Sequence, residues 1–295
     1  MNAREAGFLL LGSTLGNPER KILTTSQLRN LAVRVASMER PAADRELTGE
    51  DLMALGYGAE MAQRILRLLD DEDLLGYYMN QAKNAGCIAL TRVSDGYPVT
   101  LRQRLGLDSP GVLWAKGDLS ILDKPMIALV GSRDIAAPNR AFAAQAGREA
   151  ARQGYVLVSG NARGADRVAQ EACLANGGQV ISVVADELAK QQNRKNVLYL
   201  SEEGFCEPFS SIRALSRNRV IHALGEKVLV AQCALGVGGT WSGTVRNLKE
   251  GWSPVFCFQD GSEAAIQLEQ LGACGIDLQD LENFNELQPR AVTFF

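Results

Sequence analysis

Histidine is nearly missing from this 295-residue chain, where His222 is the only one. A histidine-rich metal site cannot be assembled, and a Ser-His-Asp triad would have to use that single residue. No C-x-x-C pair occurs either; the six cysteines, Cys87, Cys173, Cys206, Cys233, Cys257 and Cys274, are scattered. Most stand in apolar surroundings such as Val255-Phe256-Cys257-Phe258, so they read as buried, reduced thiols of a cytoplasmic protein. No apolar run approaches the roughly 18–20 residues of a membrane span. The N-terminus offers only the brief apolar stretch from Gly7 to Leu11, too short for a signal peptide. An excess of positive charge is also absent. With 31 Lys and Arg against 34 Asp and Glu, the net charge is -3. Any nucleic acid must therefore be met by a local basic surface.

What remains is the make-up of an ordinary folded protein, 46% hydrophobic and 22% charged. The length suits one large domain or two unequal ones. Neither an internal repeat nor a low-complexity segment is visible. Residues 1–80 read as a small helical module of the SAM or helix-hairpin-helix type. One helix runs from Thr24 through Leu31 and Val35, and Thr48 with Asp51 resembles a capping box. Leu55-Gly56-Tyr57-Gly58 makes a turn before Met61, Ile65, Leu66 and Leu69 at helical spacing. Such modules sometimes touch DNA backbone, but packing or dimerisation is the better fit. Residues 81–124 form a connector with short strands at Cys87–Leu90 and Val112–Ala115 and a turn at Tyr97-Pro98.

From Met126 the pattern alternates. Strands are expected at Met126–Val130, Tyr155–Ser159, Gln179–Val184, Val197–Leu200, Lys227–Ala231 and Pro254–Phe258, and helices at Asn139–Gln153, Asp166–Leu174 and Leu215–Leu224. This alternation predicts an α/β fold over residues 125–285. Right-handed βαβ units would form a mostly parallel sheet with helices on both faces. Residues 286–295 lack periodicity and are expected to form a tail or docking strap.

Several of these strands end at glycine-bearing turns, the way an open parallel sheet presents amides and helix N-termini to an anion. The first turn is Gly131-Ser132-Arg133, with a close-approach glycine, a hydroxyl donor and a guanidinium fork. The second, Ser159-Gly160-Asn161-Ala162-Arg163-Gly164-Ala165-Asp166, adds another arginine and an acid. Asp166 is expected to cap the following helix; shaping the glycine loop is its other possible role. Neither turn is a Walker loop or a G-x-G-x-x-G, so phosphate holding is expected and phosphoryl transfer is not. Arg213 and Arg217 would share a helix face, where like charges repel unless an anion lies between them. A solvated face suits Arg213 better, while Asn218 and Arg219 extend the polar surface. His222 reads as a packed helix residue. The tract Gly236 to Thr244 again suits a phosphate cradle, with Gly239 and Thr240 as contacts, before a helix at Val245–Lys249. Trp241 could stack on a base, although packing is the commoner role of such a residue.

In order and spacing these motifs resemble the DprA/Smf family of DNA-processing proteins. The likeness runs from about Tyr97-Pro98 to about Ile276. It takes in Leu113-Trp114-Ala115-Lys116-Gly117, the turns at 131–133 and 159–166, Ser201-Glu202, Ser216 to Ile221, the loop at 239–244 and Pro254-Val255-Phe256. The resemblance implies an extended Rossmann-like domain that binds single-stranded DNA in a basic pocket. It also implies a homodimer that protects strands in natural transformation or recombination and helps load a RecA-type recombinase. No catalytic residue, metal or cofactor is implied. Carried over by motif, Gly131, Ser132 and Arg133 would hold one phosphate, with Ser159, Gly160 and Arg163 beside them. Arg217, Asn218 and Arg219 would line or brace the same pocket.

The chain departs from the family pattern in places, as a divergent branch would. Ala165 stands where Ile is usual and Gln170 where His is usual. The stretch between Val184 and Ser201 lacks the customary Tyr-Pro and glycines, and Gly238 to Thr244 replaces a Ser-Gly-Ser-Leu type of sequence. The C-terminal winged helix of some members is expected to be absent. The glycine loops also resemble those of nucleoside-monophosphate phosphoribohydrolases of the Lonely Guy type. Those enzymes need a Glu following the Gly-Gly-x-Gly-Thr loop, and none occurs here before Glu250. A nucleotide-cleaving enzyme is therefore the second reading, and a nucleotide-sensing regulator the third.

Overall fold

Local capping decides where the first helices begin. Helix α1 (Ala3–Gly12) starts at Asn2, which exchanges hydrogen bonds with Glu5 in a capping box. Helices α2 (Thr25–Ala36) and α3 (Gly49–Ala54) start at the reciprocal pairs Thr24–Gln27 and Thr48–Asp51. Then come α4 (Ala59–Leu69) and α5 (Glu72–Asn84). The computed structural model describes residues 1–38 and 46–289. Leu11, Leu31, Leu52, Ile65 and Leu68 form a core private to these helices, whereas Leu9, Leu10, Leu75 and Tyr78 join the core beneath the sheet. The helices are thus fastened to the sheet by α1 and α5.

The remainder runs β1 (Ile88–Thr91), α6 (Val99–Leu105), β2 (Val112–Lys116), β3 (Met126–Val130), α7 (Ala137–Arg152), β4 (Val156–Ser159), α8 (Ala165–Ala175), β5 (Gln179–Val183) and β6 (Val197–Ser201). It continues with α9 (Ser211–Ser216), α10 (Asn218–Leu224), β7 (Lys227–Val230), α11 (Gly238–Glu250), β8 (Val255–Phe258), α12 (Glu263–Gln270) and β9 (Cys274–Ile276). All nine strands form one sheet in the order β1-β2-β6-β5-β4-β3-β7-β8-β9. From β6 to β9 every pairing is parallel, and β1 and β2 extend the sheet antiparallel beyond β6. This is the expected α/β, Rossmann-like, mostly parallel architecture. Its inner strands read as unbroken apolar runs because both faces are covered. One face packs on Phe142, Ala146, Ala169 and Cys173 of α7 and α8, the other on Leu101, Val220, Leu224 and Leu268 of α6, α10 and α12.

Three boundaries differ from the sequence reading. The stretch read as a connector supplies two strands of the sheet itself. Helix α12 and strand β9 extend the parallel sheet past the last strand expected. At the expected tail, Leu287 is buried in the core beside Leu281 and Phe284; residues 290–295 lie outside the described residues.

One buried cation organises the helical module. The Arg20 side chain, 4% exposed, donates to the carbonyls of Leu10 (2.5 Å), Ser13 (2.6 Å) and Leu68 (2.8 Å) and pairs with Asp71 at 2.9 Å. It therefore joins the end of α1 to the end of α4. Replacing Arg20 by Met should cost about 2–4 kcal/mol in urea unfolding, since three buried carbonyls lose their donor.

Candidate nucleic-acid interface

Strand order reverses at β3. The chain builds outward through β4, β5 and β6 on one side, then through β7, β8 and β9 on the other. Connections leaving β3 and β7 therefore diverge, and a crevice opens between them at the carboxyl ends of the strands. A cleft of about 420 Å³ occupies it, bordered by Gly131, Ser132, Arg133, Arg217, Asn218, Gly239 and Thr240. A second opening, toward Gly160, Arg163 and Phe209, shares Arg133, Ala162 and Arg217 with the first.

The Gly131-Ser132-Arg133 turn is stitched tightly to its neighbours. The Ser132 amide donates to the Gln232 carbonyl at 2.9 Å, and the Ser132 carbonyl accepts from the Ala165 amide at 3.1 Å. A Cβ on Gly131 would lie 2.4 Å from that of Ala165, and one on Gly164, at φ +89°, would lie 2.3 Å from the Arg133 carbonyl. Both glycines are required by this approach. The Ser132 amide is thus spent inside the protein. Arg133 is not: its exposed side chain makes no hydrogen bond or ion pair among the described residues.

Arg217 lies between α9 and α10, 7% exposed, and its Nη1 donates to the Val183 carbonyl at the end of β5. Its Nε has no partner. The guanidinium occupies the space a side chain at position 160 would need, 2.0 Å from a Cβ built on Gly160. Burial draws the Arg217 guanidinium below its ordinary range, and the nearby Asp166 opposes this. Asp166 is itself buried, and burial pushes its carboxyl up against the pull of Arg217 and of the Ala162 and Gly160 amides. Its carboxylate accepts from the Ala162 amide at 3.2 Å. Gly164 holds the N-cap position of α8, so Asp166 shapes the glycine loop and does not cap the helix.

The tract expected as a loop before a helix is the first two turns of α11. That helix starts at Gly238 without a side-chain cap, and the amides of Gly238, Gly239 and Thr240 have no acceptor among the described residues. Together with the helix dipole, they give the cleft a partial positive charge. The Thr240 hydroxyl donates to the Gly131 carbonyl at 3.0 Å, and the Asn218 amide group donates to the Gly239 carbonyl at 2.9 Å. These two bonds fix the helix end against β3 and α10.

The other candidates stand back from the cleft. Ser159 is buried and accepts from Gln170 Nε2 at 2.6 Å, so Gln170 serves as an internal donor. Arg163 pairs with Asp134 at 2.7 Å, and both side chains are exposed. Arg219 borders neither opening; it holds Glu202 at 2.6 Å and the Asp108 carbonyl at 2.7 Å. Arg213, expected on a solvated face, is buried on the carbonyls of Ala185, Glu207 and Pro208 and beside Glu203 at 3.1 Å. Trp241 packs against the core. Leu215, Val237 and Phe209, which sequence reasoning did not single out, line the two openings. Their signal was available: apolar residues on a short helix and a glycine turn that the core does not use.

His222 is fully buried, and neither ring nitrogen has a hydrogen-bond partner. Burial takes it down to about 4 from 6.5. The unfolded chain binds this proton first, so the associated stability is complete above pH 6.5. It falls as pH drops toward about 4, by roughly 3 kcal/mol in all. His222→Leu should flatten that part of the pH–stability curve in urea titrations, leaving only carboxylate titration. Gly160→Ala should expel the Arg217 guanidinium and lower stability by about 2–4 kcal/mol, read in the same way.

Comparison with known proteins agrees with the fold. The family model for DNA recombination-mediator protein A matches residues 89–259, more than half of the chain. DNA processing protein DprA of Bacillus subtilis is 29% identical over 218 residues, 68% of this chain and 71% of its own. The X-ray structure of DprA from Streptococcus pneumoniae superposes with a TM-score of 0.73 at 26% identity, covering 98% of this chain and 99% of that one. A structure concerning the single-stranded DNA binding mode of DNA processing protein A from Helicobacter pylori gives 0.55 at 26% identity, over 67% of this chain and 94% of that one. With a family model spanning β1 to β8 and a solved relative that follows nearly its whole length, the chain belongs to the DprA/Smf family of DNA-processing proteins.

Proposed function

We propose that this chain binds single-stranded DNA along the crevice between β3 and β7 and performs no chemistry on it. One observation carries the reading: the unpaired Arg133 guanidinium and the free first-turn amides of α11 border the same cleft. Two kinds of phosphate ligand, a mobile cation and a fixed helix end, thereby converge on one groove. In this assignment Gly131 gives close approach, while Arg133 and the Ser132 hydroxyl, released from the Gln232 carbonyl that it meets at 3.3 Å, hold one phosphate and the Gly239 and Thr240 amides hold the next. Arg163 reaches a further phosphate by leaving Asp134. Gly160, Arg217 and Asn218 brace the groove from beneath, and Ser159 and Arg219 support it at one remove. Binding of a single strand agrees with the single-stranded DNA binding mode named for the Helicobacter pylori relative.

A binding role also suits the groups that an enzyme would need. The Asp166 carboxylate is engaged by loop amides, and His222 lies in the core. Among the described residues no helix is long and apolar enough to cross a membrane. We extend the proposal to a cytoplasmic homodimer that protects single strands and passes them to a RecA-type recombinase, the role the family resemblance implies. The helical module of residues 1–80 would then serve packing or dimerisation, joined through residues 81–124 to the DNA-binding domain of residues 125–285.

The test is fluorescence anisotropy of a labelled oligonucleotide at several salt concentrations. Affinity should fall steeply with salt, by about 0.7 in the log–log slope for each phosphate neutralised. Arg133→Ala should weaken binding about tenfold or more and lower the slope by about 0.7, with an unchanged melting temperature. Wild-type affinity in that variant would falsify the assignment, and competition by nucleoside monophosphates alone would favour the nucleotide reading.

A further inference from the structure

Between β6 and α9 the chain passes from Glu202 to Ser210 without helix or strand, so the course of this strap is set by the contacts of single residues. Its first half is fastened to the helical module. The buried Phe205 ring lies against Tyr78 of α5 and Trp114 of β2, with centroids 4.5 Å and 5.1 Å away. The Thr14 hydroxyl, just past the end of α1, donates to Glu207 Oε1 at 2.9 Å. That carboxylate folds back over Gly204, where an added Cβ would meet Glu207 Oε1 and the Tyr78 hydroxyl oxygen at 3.0 Å each. Thr14 is held in its turn, because the Ser13 carbonyl before it is one of the acceptors of Arg20. The second half of the strap is fastened to the crevice. Arg213 Nη1 donates to the carbonyls of Glu207 and Pro208, both at 2.8 Å, and of Ala185 at 2.9 Å. Ala185 and Phe209 border the second opening together with Arg133, Arg163 and Arg217.

We infer that Glu207 is a positioning residue, through which the helical module fixes the wall of the second opening. None of the module's described residues borders either opening, so its influence on the crevice is indirect. Only Pro208, with its restricted φ, separates Glu207 from Phe209, and a shift of the carboxylate reaches the wall over a single stiff residue. The consequence for binding rests on the single-stranded DNA reading above, which assigns a phosphate to Arg163 at this opening. With Thr14 on Glu207 the strap is ordered before a strand arrives, and binding does not bear the cost of ordering it. By linkage, a strand held at that wall must in turn steady Thr14 and its neighbours.

The test combines oligothymidylate anisotropy with hydrogen exchange read by mass spectrometry on the full chain. In wild type, bound oligonucleotide should slow exchange across residues 13–20 as well as 203–210. Thr14→Val and Glu207→Ala should each weaken binding about fivefold, the share of one hydrogen bond, and the two together no further. The protection of residues 13–20 should vanish in both, while the salt slope stays unchanged because no phosphate contact is lost. Glu207→Gln keeps the acceptor and should bind within about twofold of wild type. Wild-type affinity in Thr14→Val, or no protection of residues 13–20 in wild type, would overturn the proposal. Tighter binding by both Glu207 variants would overturn it as well, since Glu207 would then act only as a charge that repels phosphate. In each of these cases Arg133→Ala would still bind weakly, and the DNA reading would stand. Failure of wild type to bind the oligonucleotide would instead defeat that reading itself.

Discussion

The guanidinium of Arg217 lies where the ends of β4 and β5 meet α8 and α10, and the crevice is organised around it. A cation that deep is costly unless acceptors surround it. The Val183 carbonyl accepts from it and the nearby negative charge of Asp166 offsets part of the cost of burial, and position 160 must be glycine because the guanidinium occupies the space a side chain would take. Asp166, drawn toward Arg217, takes amides of the 160–162 loop and sets its shape. On the other side, Arg217 fixes the start of α10, so Asn218 can reach Gly239 and hold the end of α11. Thr240 then returns to Gly131. The groups that border the crevice are thus placed by a chain of contacts that begins at a residue beneath them.

Much of this fold could be read from the sequence because its inner strands are covered on both faces and appear as plain apolar runs. Met126–Val130 and Lys227–Val230 needed no tertiary knowledge. Strand β9 has only three residues, one of them glycine, and leaves no such trace. The glycines at 238–243 misled for a different reason. Glycine disfavours helix, so the tract reads as a loop. In the structure Gly239 and Gly243 are small because Asn218 and His222 press against α11, with contacts of 3.1–3.4 Å for any added Cβ. Close helix packing overrides local preference there.

The candidate site was partly legible. The turns at 131–133 and 159–164 do meet at one crevice, as their glycines and arginines suggested. The sequence could not tell which arginines would be spent internally. Arg213 and Arg217 share spacing and chemistry with any solvated pair, and their acceptors include the Ala185 and Val183 carbonyls, 28 and 34 residues away in sequence. Of the five arginines at 133, 163, 213, 217 and 219, Arg133 alone lacks a protein partner among the described residues.

That leaves the Arg163–Asp134 pair, exposed at the mouth of the second opening. In the proposed binding mode an incoming phosphate would take the place of this carboxylate, so occupancy of Arg163 would be an exchange of one anion for another. With the displaced carboxylate still beside it, the arginine would bring no net positive charge to release a counterion from that phosphate. The protein's ionic-strength response would therefore count fewer phosphates than its arginines touch, and a strand could slide past this position with little change in energy.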